Sequence, residues 1–109
     1  MPIDLPAPVA AYFNADGNTA RDVAQTFTEN AEVVDERQRH KGRAAIRAWK
    51  ADAAAKYEYT SKPVASEVRP DGAILVTSLV SGNFPGSPVH LRYAFTLEGD
   101  AIARLEIVA

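Results

Sequence analysis

The sequence predicts one α+β domain, with helices in the first half and an antiparallel sheet in the second. Three observations carry that expectation. The chain has 109 residues, the length of a single domain. Twenty of them are alanine, and fourteen of the twenty fall in residues 1–55, among apolar residues at helical spacing. From residue 59 onward, apolar runs of strand length alternate with turns rich in Pro, Gly and Asp.

Each element follows from its residues. Pro6 and Pro8 suit the first turn of a helix, where a missing N–H costs nothing. Val9, Tyr12 and Phe13 stand at i, i+3 and i+4 and form its apolar face. Asn14-Ala15-Asp16-Gly17-Asn18 breaks it, and Asn18 or Thr19 caps a second helix with Asp22 in its first turn. Ala20, Val23, Ala24 and Phe27 form the buried stripe of that helix. Glu29-Asn30 stops it, and Ala31 to Glu36 reads as a strand. Its period of two puts Val33 and Asp35 on one face, with Glu32, Val34 and Glu36 on the other.

Arg37 to Gly42 is a polar connection with room for a short strand. From Gly42 a long helix follows, in which Ile46, Trp49, Ala53 and Tyr57 recur at helical spacing. Arg43, Arg47, Lys50 and Lys56 lie away from that stripe, and seven alanines between positions 44 and 55 let the helix approach a sheet closely. Tyr59 to Arg69 is a strand whose Pro63 marks an edge or a bulge. Pro70-Asp71-Gly72 turns into a strand over Ala73 to Phe84, and Pro85-Gly86-Ser87-Pro88 into one over Val89 to Leu97. Glu98-Gly99-Asp100 leads into the last strand, Ala101 to Val108.

Composition narrows the function. A formal net charge of -2 offers no electrostatic footprint for nucleic acid or for an acidic membrane surface. No cysteine is present, which excludes disulfides, thiolate zinc sites and cysteine nucleophiles. No apolar run reaches the ~20 residues of a membrane span. Met1-Pro2-Ile3-Asp4-Leu5-Pro6 carries an acid where a signal peptide needs basic residues, so a cytoplasmic location is expected. His40 and His90 show no His-x-His or His-Glu-x-x-His pattern, and neither a metal nor a cofactor is expected.

Asn30-Ala31-Glu32-Val33-Val34-Asp35-Glu36, followed by His40-Lys41-Gly42-Arg43-Ala44-Ala45-Ile46-Arg47-Ala48-Trp49, resembles the SnoaL-like branch of the nuclear transport factor 2 (NTF2)-like superfamily. The likeness covers nearly the whole chain. It implies a cone: a strongly bent, mainly antiparallel sheet wrapped around three helices, an apolar cavity between them, and a homodimer formed through the sheet. Polyketide cyclases, ketosteroid isomerase, dehydratases, epoxide hydrolases and transport factors all share this fold, so the fold alone does not choose a chemistry.

Asp35 is the first candidate for catalysis, because its strand face points into the cavity of such a cone. A carboxylate in an apolar pocket becomes a better proton acceptor near neutral pH, and the resemblance places the isomerase base at this position. Its alternative role is structural, as a strand-end acid bound to loop amides or to Arg37 or Arg39. His40 is the second candidate, either as an acid/base partner or as a structural contact of Asp35 or Glu36 at the rim. Phe13, Val33, Trp49, Tyr57, His90 and Tyr93 are candidate substrate-binding residues. For each aromatic among them the competing role is core packing, and His90 can face either the pocket or a dimer interface.

The chain departs from the isomerase pattern where that enzyme holds its enolate. The oxyanion tyrosine falls at Val9, its supporting tyrosine at Lys50 and the second acid near Leu91. Steroid isomerisation in the familiar form is therefore not expected. What remains is a cofactor-free isomerase, cyclase or dehydratase acting on a small apolar molecule, with Asp35 as general acid/base. The alternatives are a ligand-binding module without chemistry and a partner-binding dimer. Only 31 apolar residues larger than alanine are present to fill the core and line a pocket, so the pocket should be small.

Overall fold

A computed structural model describes residues 5–15 and 20–108. Nine elements follow in order: α1 (Ala7–Ala15), α2 (Ala20–Gln25), β1 (Phe27–Asp35), β2 (Gln38–Lys41), α3 (Arg43–Lys56), β3 (Tyr59–Val68), β4 (Ile74–Gly82), β5 (Val89–Glu98) and β6 (Ala101–Val108). The six strands form one sheet in the order β2-β1-β6-β5-β4-β3. All neighbours are antiparallel except β1 and β6, which run parallel. This is the expected α+β architecture.

The helices cover one face of the sheet. Val9 and Tyr12 of α1, Val23 and Ala24 of α2, and Ile46 and Trp49 of α3 are buried in one apolar cluster. That cluster continues into Val33 of β1, Val76 of β4, Tyr93 and Phe95 of β5, and Leu105 and Ile107 of β6. β1, β4 and β5 show the period of two that a half-covered sheet imposes, and β6 regains it from Leu105 to Ile107 after a register shift against β5; in β4, Ile74, Val76, Ser78 and Val80 are all buried. Tyr12 sits at the centre of the packing, with the rings of Phe13, Phe27, Tyr93 and Phe95 within 5.1–6.2 Å of its own.

The largest departures from the sequence expectation are at the α2–β1 junction and the end of α3, and β4 ends at Gly82 rather than Phe84. Phe27 does not belong to the stripe of α2: that helix ends at Gln25, and Phe27 opens β1, four residues ahead of the predicted strand. Phe27 keeps its place in the core because β1 begins beside Ile102 of β6. Tyr57 is not helical; α3 stops at Lys56, and Tyr57 is extended and 40% exposed. The polar connection does hold a strand, β2, paired with the end of β1. The expected break at Asp16 to Asn18, the cap at Asn18 or Thr19, the side chain of Ala20 and the segment Met1 to Asp4 lie outside the described residues.

Two glycines are required by geometry. Gly42, at the N-cap of α3, has φ 87°, in the left-handed region that side chains resist. Gly82 ends β4 against the start of β3, where an added Cβ would collide with the Glu58 carbonyl oxygen and lie 2.7 Å from Tyr59 Cβ. Pro63 fulfils both readings at once. It lies on an edge strand, and the β3–β4 register shifts between Pro63 and Ala65.

Candidate functional site

Between α3 and the concave side of the sheet lies a cavity of about 460 Å³, in the lower half of the usual range for small-molecule sites. Its walls come from every layer of the fold. Tyr12 rises from α1; Trp49, Lys50 and Ala53 descend from α3, with Tyr57 just beyond it. Tyr59 and Val80 come from β3 and β4, Leu91, Tyr93 and Ile107 from β5 and β6, and Phe84 with Pro85 from the loop between β4 and β5. Asp35 and Glu36 close it at the end of β1.

Asp35 is positioned by its backbone and by one side-chain bond. It is the last residue of β1, half-buried, opposite Gln38 of β2 and beside Ile107 of β6. The indole Nε1–H of Trp49 donates to Asp35 Oδ2 at 3.0 Å. The strand reverses immediately through Glu36 and Arg37, whose φ angles of 52° and 64° are both left-handed. Such a pair makes the two-residue turn that suits the twist of a hairpin, although neither residue favours that conformation.

His40 reaches Asp35's neighbourhood from β2. It pairs with Val33, is half-buried, and its ring lies 6.0 Å from that of Trp49 with a 34° tilt. It does not line the larger cavity. Instead it borders a second pocket of about 240 Å³ together with Asp35, Trp49, Asp52 and Lys56. Asp35 and Trp49 line both pockets, so their hydrogen-bonded side chains form a shared wall.

The other candidates divide clearly. Trp49, Tyr57 and Tyr93 line the larger cavity. Val33 is wholly buried in the core, and Phe13 packs edge-on against Tyr93 and Phe95 at 5.2 and 5.8 Å. Neither Val33 nor Phe13 borders either pocket. His90 is exposed opposite Leu79, and strand alternation puts it on the face away from Leu91, Tyr93 and the cavity. Among the described residues no group of three or more His, Asp or Glu side chains is placed to hold a metal.

Lys50 is the residue that helical patterning misplaced. It lies away from the apolar stripe of α3, yet it is 6% exposed and lines the cavity. Its Nζ lies 5.1 Å from the centres of the Trp49 and Tyr59 rings and 5.6 Å from that of Tyr12. Cation–π attraction of this kind offsets part of the cost of burying an ammonium. The resemblance, which sets Lys50 at the position of the isomerase's supporting tyrosine, carries a signal that helical spacing does not.

No family model and no curated protein matches the sequence. Solved structures do match. A crystal structure of a candidate polyketide cyclase from Sinorhizobium meliloti is 45% identical, covers 96% of each chain and superposes with a TM-score of 0.90. A hypothetical protein from Catenulispora acidiphila with a ketosteroid isomerase-like fold, crystallised with trimethylamine, has a TM-score of 0.84 at 19% identity. It covers 97% of this chain and 87% of its own. An NTF2-like protein of unknown function from Cytophaga hutchinsonii has a TM-score of 0.72 at 13% identity, covering 99% of this chain and 93% of its own. The distant pair show the NTF2-like, ketosteroid isomerase-like fold; the identity to the Sinorhizobium protein, over nearly all of both chains, places this protein in the same polyketide cyclase-like family as that chain.

Proposed function

We propose that the protein is a cofactor-free enzyme of cyclase or isomerase type, in which Asp35 moves a proton at a carbon next to a carbonyl group. One observation carries this reading: the Asp35 carboxylate borders an aromatic-walled cavity and is held there through Oδ2 by the Trp49 indole. With Oδ2 engaged, Oδ1 is the atom that meets the substrate. A positioned carboxylate of this kind contributes roughly 10²–10⁴ in rate. The likeness to a candidate polyketide cyclase supports a carbonyl compound as substrate. His40 stands behind the shared wall and orients that region without meeting the substrate.

Ligand binding without chemistry is the second reading. It is supported by the Catenulispora neighbour, which was crystallised with a small molecule. Hydrogen–deuterium exchange separates the two without a known substrate. Small cyclic ketones and 1,3-dicarbonyl compounds are incubated in D₂O with the wild type or with Asp35→Asn, and label uptake is followed by NMR. Catalysed exchange that falls at least about 100-fold in Asp35→Asn is expected. Exchange that is absent in the wild type, or equal in both proteins, would refute the enzyme.

A further inference from the structure

Two aromatic side chains at the cavity mouth lie just outside the regular elements. α3 stops at Lys56 and the backbone turns extended, so Tyr57 leaves the helix and stands 40% exposed. Phe84 lies in the loop after β4 and is half-buried. Their rings meet edge to face, with centres 5.9 Å apart and planes at 73°. Both line the larger cavity. The core rings of Tyr12, Phe27 and Phe95, by contrast, are wholly buried. A ring left partly open to water beside a cavity gains from a further apolar partner.

The pair is fixed by its neighbours. The Glu58 N–H donates to Asn83 Oδ1 at 3.0 Å, and the Asn83 N–H donates to the Glu58 carbonyl at 3.1 Å. Two hydrogen bonds therefore tie the residue after Tyr57 to the residue before Phe84. The loop also closes on itself: the Gly82 N–H donates to Ser87 Oγ at 2.8 Å, and the Ser87 N–H to the Phe84 carbonyl at 3.3 Å. Gly82 permits this approach, since a Cβ there would collide with Glu58. A site assembled before its ligand arrives loses little freedom on binding. Trp49, Ala53 and Tyr57 follow at four-residue spacing and all line the cavity. One line of wall thus leads from the indole that holds Asp35 to the aromatic pair.

We propose that Tyr57 and Phe84 form a clasp for a flat aromatic ring, so that this cavity selects aryl-bearing ketones over saturated ones. Two rings near a right angle make a corner, and a third fills it by stacking on one and meeting the other edge-on. Such contacts are worth about 2- to 10-fold in affinity beyond the area they bury. The carbonyl end of the same ligand then lies toward Asp35. That placement rests on the role proposed for Asp35; the binding of the ring does not.

The test compares 2-tetralone with its saturated counterpart, trans-2-decalone, by NMR titration of the intact protein at pH 7.5. The wild type should bind the tetralone at least about 3-fold more tightly. The double variant Tyr57→Leu, Phe84→Leu keeps apolar bulk without rings and should bring the two ketones within two-fold of each other. Equal affinities in the wild type, no tetralone binding, tighter binding of the decalone, or a preference that survives the double variant would each overturn the proposal. Should the double variant fail to fold, nuclear Overhauser contacts in the wild type decide. The aromatic protons of the tetralone should show them to the Tyr57 and Phe84 rings, and their absence overturns the clasp. Asp35→Asn should retain the preference for the tetralone while losing isotope exchange. Absent exchange in the wild type with an intact preference refutes the role of Asp35 alone, and catalysed exchange without a preference refutes the clasp alone.

Discussion

The indole of Trp49 and the carboxylate of Asp35 meet at 3.0 Å and together separate the main cavity from the smaller pocket that His40 borders. The bond joins the third helix to the end of the first strand, so it ties the two layers of the fold at the site itself. Trp49→Phe keeps an aromatic ring and removes the donor. It should cost about 1–2 kcal/mol, read by denaturant unfolding. In a double-mutant cycle with Asp35→Ala, the loss in the double variant should fall short of the sum of the two single losses by at least about 0.5 kcal/mol. Additive losses would show that the bond contributes nothing.

Gly82 offers a test of packing at the cavity mouth. An alanine methyl there would press on the Glu58 carbonyl and on Tyr59, and neither backbone segment can step aside without breaking the β3–β4 pairing. Gly82→Ala should destabilise by about 2–3 kcal/mol, a loss in the upper range for overpacked sites. Thermal melting would register it as a drop of roughly 10 °C or more. An unchanged melting temperature would contradict the close approach.

The turn at Glu36-Arg37 can be relieved. Both residues adopt left-handed backbone angles that asparagine and glycine accept at much lower cost. The double substitution Glu36→Asn, Arg37→Gly should raise stability by about 1 kcal/mol. Because Glu36 borders the cavity, ligand affinity measured on the same variant shows whether its charge matters to binding.

Glu32 lies 3.5 Å from both Arg39 and Arg104, on the face of the sheet away from the helices. Both arginines are well exposed, at 71% and 42%, so the pairs are largely screened. Glu32→Gln should lower stability by no more than about 0.5 kcal/mol, and 1 M salt should abolish the difference. A larger loss that persists in salt would indicate a structural role for the carboxylate itself.

An association state is also expected. The cone resemblance implies a homodimer through the outer face of the sheet, the face that carries Leu79, His90 and Arg92. Analytical ultracentrifugation should give twice the chain mass, and Leu79→Glu should shift the protein to monomer. A wild type that sediments as a monomer at micromolar concentration would refute the dimer.

Much of this architecture could be read from residue spacing, and the failures share one cause. Strand period alone put Val33 and Asp35 on one face, and the turn signals at Pro70-Asp71-Gly72 and Glu98-Gly99-Asp100 separated β3, β4, β5 and β6. Phe27 was assigned to a helix because it continues the i, i+3, i+4 series of Val23 and Ala24, and only its pairing with β6 reveals the strand. Lys50 stands outside the apolar stripe of α3, yet it is buried. A helix lying inside a curved sheet is enclosed on more than one side, so a second face of α3 becomes interior. His90 could not be oriented from its own strand, since the face that alternation exposes depends on which side the helices cover. One-dimensional periodicity identifies faces, whereas their environment is set by partners distant in sequence.

The single parallel pairing, β1 beside β6, has a consequence for how the molecule comes into being. Asp35 is the register partner of Ile107, about seventy residues away along the chain. Closing so long a loop is entropically slow compared with zipping the consecutive hairpins of β3 to β6. The β1–β2 hairpin can form early, yet its acid has no cavity wall beside it until the sixth strand docks. A ligand that needs both walls can bind only the completed fold, so a bound small molecule should slow unfolding and leave the refolding rate unchanged.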